Sequence, residues 1–70
     1  MADAMVIQVN GETREAAPGS TVTSLLAQLG LHAGRVAVEY NLKILPKAQW
    51  DSTHVAAGDR LEIVQLVGGG

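Results

Sequence analysis

The chain has no cysteine and no phenylalanine, only two aromatic residues, Tyr40 and Trp50, and only two histidines, His32 and His54. Without cysteine, neither disulfides nor thiolate-bound metal can staple so short a fold, and its core has to be aliphatic, built from Val, Leu, Ile and Ala. Seventy residues make one domain, which leaves about two-fifths of the unfolded surface exposed after folding. Five basic residues stand against seven acidic ones without forming a run, so the positive footprint that a phosphate backbone demands is missing and nucleic acid is set aside as a partner. No apolar run approaches the roughly 20 residues of a membrane span, and Met1-Ala2-Asp3-Ala4 has neither the cationic nor the apolar region of a signal peptide. A cytosolic protein with no membrane partner is expected.

Residues 1–4 are small or polar and read as a disordered extension. Met5, Ile7 and Val9 then alternate with Val6 and Gln8, the period of a strand with one buried face. Asn10-Gly11 follows, a dipeptide that tolerates the positive φ of a type I′ hairpin turn, so 12–16 is the returning strand. Pro18-Gly19 breaks it, and Ser20 or Thr21 can cap a helix over 22–29, whose Val22, Leu25, Leu26 and Leu29 form one apolar stripe. Gly30 stops the helix and Leu31 can pack back on it. A third strand covers 35–40, with Val36 and Val38 on one face and Ala37 and Glu39 on the other. Ile44-Leu45 pairs briefly before Pro46, and 47–55 is irregular. The last strand covers 60–66, Leu61 and Ile63 inward, Glu62 and Val64 outward.

Hairpin, helix and later strands in this order give an α+β fold. The helical crossover lets 5–9 and 60–66 lie side by side in parallel, and the result is a ubiquitin-like β-grasp of four or five mixed strands with one helix on one face. The domain is 5–67 and residues 68–70 are its flexible tail. One helix covers one face only. The small apolar residues on the other face become candidates for partner contact.

Side-chain chemistry is poorly supplied. His32 and His54 have no nucleophile or carboxylate placed by spacing and read as solvated or locally bonded. Ser20, Ser24 and Ser52 suit caps and turns, Asp51 and Asp59 suit turns, and Trp50 suits a packing anchor. No catalytic residue, metal site or bound cofactor is expected, and the chain is not read as an enzyme. Gly68-Gly69-Gly70 differs, because it directly follows a strong strand and presents a backbone carboxylate on a stalk without side chains. A frayed end or a cloning remnant is the ordinary reading of such a tail, yet no linker separates this one from the last strand. A backbone carboxylate entering a narrow channel on another protein needs residues without Cβ, and Gly68 and Gly69 thread while Gly70 reacts. Adenylation by ATP would turn the carboxylate into an acyl donor, and a sulfur nucleophile displacing AMP would leave a thiocarboxylate. Sulfur is then carried without any cysteine.

Ile7-Gln8-Val9-Asn10-Gly11, the helix from Thr21 to Gly30, Arg35-Val36-Ala37-Val38-Glu39, Trp50, and Gly58-Asp59-Arg60-Leu61-Glu62-Ile63-Val64 before the Gly tail together resemble the sulfur carrier family of thiamine biosynthesis. The resemblance runs from Met5 to Gly70. It implies adenylation of Gly70 by a ubiquitin-activating-like enzyme that uses ATP, sulfur from a persulfide donor, and delivery to thiazole synthase. Val64, Leu66 and Val67, next to the tail, would dock these partners. A small subunit of molybdopterin synthase is usually longer and fits the helix and third strand less well. A ubiquitin-like protein modifier or an inert β-grasp binding module remain as alternatives, the latter indifferent to loss of Gly69 and Gly70. Relatives often carry Asn-Gly at the second hairpin where this chain has Asn41-Leu42, and since Leu resists positive φ, that turn is expected to take another geometry.

Overall fold

The computed structural model describes residues 4–31 and 33–66. Most of the expected N-terminal extension, His32, and Val67 with Gly68, Gly69 and Gly70 lie outside the described residues. Five strands and a helix follow in the order β1 (Met5–Val9), β2 (Glu12–Ala16), α1 (Val22–Gln28), β3 (Val36–Tyr40), β4 (Lys43–Ile44) and β5 (Arg60–Gln65). Short 3-10 turns occupy Ala33–Arg35 and Lys47–Gln49. The strands form one mixed sheet in the order β2-β1-β5-β3-β4, with β1 and β5 parallel and the other neighbours antiparallel. This is the ubiquitin-like β-grasp.

Local chemistry fixes the element ends. Asn10 and Gly11 take φ of 52° and 80°, and β1 and β2 pair from Met5↔Ala16 to Val9↔Glu12 around them. Thr21 caps α1: its hydroxyl accepts from the Ser24 N–H at 3.1 Å, while the Thr21 N–H donates to the Ser24 hydroxyl at 2.9 Å. Serine here does the work of the acidic residue usual in such a box. The helix ends with Leu29 as its cap and Gly30 in the left-handed region, where the Gly30 N–H reaches the Ala27 carbonyl at 3.1 Å and the Leu31 N–H the Leu26 carbonyl at 2.9 Å. Those two bonds are the paired closure that a C-terminal Gly permits.

Alternation then sorts the faces. Ile7 and Val9 of β1, Val36 and Val38 of β3, and Leu61 and Ile63 of β5 meet Val22, Leu25 and Leu26 of α1, with Ala16, Trp50 and Val55 closing the edges of the core. Each fully buried Leu or Ile contributes roughly 1.5–3 kcal/mol. Trp50 is a packing anchor whose indole N–H donates to the Leu45 carbonyl at 3.0 Å, so the irregular stretch is nailed to the core without a polar group left over.

The second hairpin corrects the sequence reading. Asn41 and Leu42 take φ of 51° and 74°, so Leu42 sits in the left-handed region that its Cβ disfavours. The cause lies outside the turn. Tyr40 pairs with Lys43 and leaves two loop residues, which calls for positive φ at both. Asn41 is also fixed to β5, its N–H donating to the Arg60 carbonyl and its side-chain oxygen accepting from the Arg60 N–H, both at 2.8 Å. Leu42 follows where that anchorage sends it, and the residue is 76% exposed.

Candidate functional site

The strand that leads to the tail lies in the middle of the sheet. β5 pairs with β3 over Val36↔Gln65 to Tyr40↔Leu61, and the Leu66 N–H continues that ladder one step, donating to the Arg35 carbonyl at 2.8 Å. On its other side β5 pairs with β1 only at Gln8↔Arg60 and Val9↔Leu61, because β1 turns away at Asn10. There a side chain takes over from the backbone. The Asn10 amide accepts from the Ile63 N–H at 2.7 Å and donates to the Ile63 carbonyl at 3.1 Å, standing in for one more strand residue. By the alternation of the ladder, Gln65 turns its backbone groups toward the side where β1 has already ended. The last strand is thus held firmly up to Leu66.

Of the residues expected to dock partners, Val64 and Leu66 are 59% and 57% exposed, and Val67 lies outside the described residues. Burial in the core is therefore not what occupies Val64 or Leu66. Strand alternation puts Val64 and Glu62 on the face away from α1, beside Ala37 and Glu39 of β3 and, across Glu39, Ile44 of β4. Four residues, 67–70, follow Leu66, and even fully extended they reach no further than about 14 Å. Any protein that engages Gly70 must therefore lie against this end of the sheet.

The opposite end of β5 carries a polar knot. The Tyr40 hydroxyl donates to the Asp59 carboxylate, which also accepts from the Ala56 N–H at 2.7 Å and the Asn41 amide at 3.2 Å. Burial pushes the Tyr40 hydroxyl up to about 12, helped by the hydrogen bond to Asp59 and its charge. Burial also pushes the Asp59 carboxyl upward, but hydrogen bonds from Tyr40, Ala56 and Asn41 outweigh it and hold the group below its ordinary value. The knot joins the β3–β4 turn to the start of β5. It lies at the end of β5 opposite to Leu66, with its carboxylate and hydroxyl engaged by each other.

His54 forms a backbone bridge with Thr21, so its backbone is structural, and its side chain is exposed. Among the described residues no three His, Asp or Glu side chains gather as a metal site would need. No helix there is long and apolar enough to cross a membrane. The feature that sequence reasoning missed is the Asn10–Ile63 pairing. Its only signal was an Asn at a turn where several residues would serve.

Comparison with known proteins agrees with this geometry. The family model described as "ThiS family" matches residues 7–70. The chain is 35% identical over 66 residues to the sulfur carrier protein ThiS of Escherichia coli, covering 94% of this chain and 100% of that one. It is 46% identical over 66 residues to a thiazole synthase of Paramagnetospirillum magneticum, again over 94% of this chain, and there it spans only 20% of the relative's length. The crystal structure of the thiamine biosynthesis protein ThiS from Geobacter metallireducens superposes with a TM-score of 0.82 at 36% identity, covering 94% of this chain and 100% of that one.

Proposed function

The chain belongs to the ThiS family, the sulfur carriers of thiamine biosynthesis, and from that membership we propose that its cargo travels as a thiocarboxylate on Gly70. A single observation supports this best: the family match runs through the core and on to residue 70, so the stretch that ends in the three glycines lies within it. The carrier itself is not a catalyst. In the proposed sequence the Gly70 carboxylate attacks the α-phosphorus of ATP on an adenylating enzyme, and pyrophosphate leaves. The outer sulfur of a persulfide donor then attacks the acyl carbon and AMP leaves. A thiol breaks the resulting S–S bond, releasing the thiocarboxylate and a new disulfide. Gly68 and Gly69 let the tail pass into the enzyme's channel, and Val64, Leu66 and Val67 rest against its rim. Dependence on ATP and on persulfide chemistry is consistent with a cytosolic setting.

Thiazole synthase is the proposed acceptor. In the Paramagnetospirillum relative, a segment similar to this whole domain is part of a chain that bears that enzyme's name. Sharing a polypeptide raises the effective concentration of the two parts to the millimolar range, an advantage only if they work together. The test is intact-mass measurement after incubation with an adenylating enzyme, ATP and a persulfide donor. A gain equal to sulfur minus oxygen, located at Gly70, is expected. A lasting amide bond to another protein, or no change at all, would refute the carrier reading.

A further inference from the structure

The hairpin turn and the β1–β5 pairing settle which way each backbone group of β2 points. The Val6 carbonyl accepts from the Gly58 N–H and the Gln8 N–H donates to the Asp59 carbonyl, so Val6 and Gln8 turn toward β5 while Met5, Ile7 and Val9 turn toward β2. Ala16, Arg14 and Glu12 answer those three, which leaves the N–H and C=O of Thr13 and Glu15 pointing out of the sheet. Among the described residues no strand lies beyond β2. Such an edge is a template for another chain.

The two edges of the sheet are defended differently. β4 is two residues long, contains Lys43 and runs into Leu45-Pro46, all devices that discourage a further strand. β2 has five residues, neither Lys nor Pro, and pairs with β1 without a bulge. Its charges are of both signs. Glu12 and Arg14 share the α1 face, opposite Val9 and Ile7, and pair with each other at 3.2 Å. A groove of about 440 Å³ beside them, lined by Gln28, Leu29 and Leu31 where α1 ends, leaves both side chains room to turn outward.

A second copy of β2 can join this edge antiparallel about a two-fold axis, and only registers that match outward-facing residues with one another form backbone bonds. Centred on Glu12 or Glu15, the axis sets two carboxylates opposite each other; centred on Arg14, two guanidinium groups. Centred on Ala16, it runs each copy into Pro18 of the other. Centred on Thr13, it joins threonine to threonine through two backbone bonds and sets Glu12 of each copy opposite Arg14 of the other. That register alone lies within the strand and opposes no like charges, and its four charges form a square of alternating sign.

We propose that β2 is a self-association edge, on which a second copy of this chain docks antiparallel about Thr13, held in register by Glu12 and Arg14. The two five-stranded sheets then run on as one, with both helices on the same face. Because β1 separates β2 from β5, the strand that leads to the tail takes no part in the contact. So short an edge makes a weak, exchanging dimer with a dissociation constant of about 1 mM or tighter.

The test follows the full chain by sedimentation equilibrium and amide hydrogen exchange from about 10 μM to about 1 mM. The parent should pass toward dimer over that range, with the Thr13 amide exchanging more slowly as concentration rises. Glu12→Arg and Arg14→Glu, each alone, oppose like charges twice and should weaken association at least about tenfold. Mixed in equal amounts, the two variants again match opposite charges and should return to about the parental level, which also shows that neither has merely unfolded. A parent that stays monomeric throughout overturns the proposal, as does a dimer whose Thr13 amide is unprotected or whose charge variants are not rescued by mixing. Protection of Thr13 that appears only on adding an adenylating enzyme or thiazole synthase gives the edge to that protein and overturns it equally.

Discussion

The side-chain amide of Asn10 bonds both backbone groups of Ile63, 53 residues away, and so prolongs the parallel pairing of the first and last strands after the first strand has turned back. One residue thus serves two ends. Its positive φ makes the hairpin and its side chain completes the ladder that steadies the route to the tail.

Asn10→Gly separates these roles. Glycine accepts the φ of 52° more readily than asparagine, and on turn chemistry alone the variant should gain stability. It instead loses two part-buried hydrogen bonds and leaves the Ile63 groups without their partner, a cost of about 1–3 kcal/mol. Urea denaturation should show net destabilisation, and hydrogen exchange should quicken at the Ile63 N–H before other β5 amides. A neutral or stabilised variant would show the pairing to be ornamental.

The Tyr40–Asp59 knot sets the pH response. Tyr40 is raised from 10.0 to about 12, so between those values the native state holds a proton that the unfolded chain has lost. Its stabilising contribution is complete below pH 10.0 and disappears as pH rises through about 12. Asp59 behaves oppositely: its native pKa is lowered, so its contribution is complete above 3.8 and is lost as pH falls through the lower native value. Melting temperatures followed against pH should fall at both ends, and Tyr40→Phe should remove the alkaline limb and weaken the acid one.

Leu42→Gly should stabilise the protein. A left-handed non-glycine residue costs roughly 1–2 kcal/mol, and this side chain is exposed, so removing it forfeits little burial. A shift in denaturation midpoint with an unchanged slope, amounting to about 1 kcal/mol, is the expected result. A loss of stability would mean that Leu42 makes contacts that its exposure does not suggest.

Leu42 also marks the limit of what could be read from the chain. The strands, the helix with its cap and its Gly30 closure, and the parallel placement of β1 beside β5 follow from period, turn residues and crossover length, all local quantities or simple topology. The second turn does not, because its geometry is imposed by Asn41 bonding Arg60 on a distant strand. Likewise the inward and outward positions of Glu62 and Glu39 are legible from alternation, but their facing each other depends on a register between β3 and β5 that no single segment encodes. The Asn10–Ile63 pairing is hidden for the same reason. The glycine tail stood out in the sequence because its composition contrasts so sharply with the strand before it.

Deleting Gly69 and Gly70 tests the tail against the body. Strand β5 takes its last described bond at Leu66, whose N–H meets the Arg35 carbonyl, and among the described residues no member of the buried core lies beyond Ile63. Melting temperature should therefore stay within the error of the parent, while sulfur loading detected by intact mass should vanish. Gly70→Ala is the finer probe. It keeps the length and the carboxylate and adds one methyl group, so a chain that folds and docks but is adenylated far more slowly locates the constraint in the enzyme's channel. If the alanine variant loads at the parent rate, the absence of side chains is not what the channel selects, and the role given to glycine must be abandoned even though the carrier reading stands.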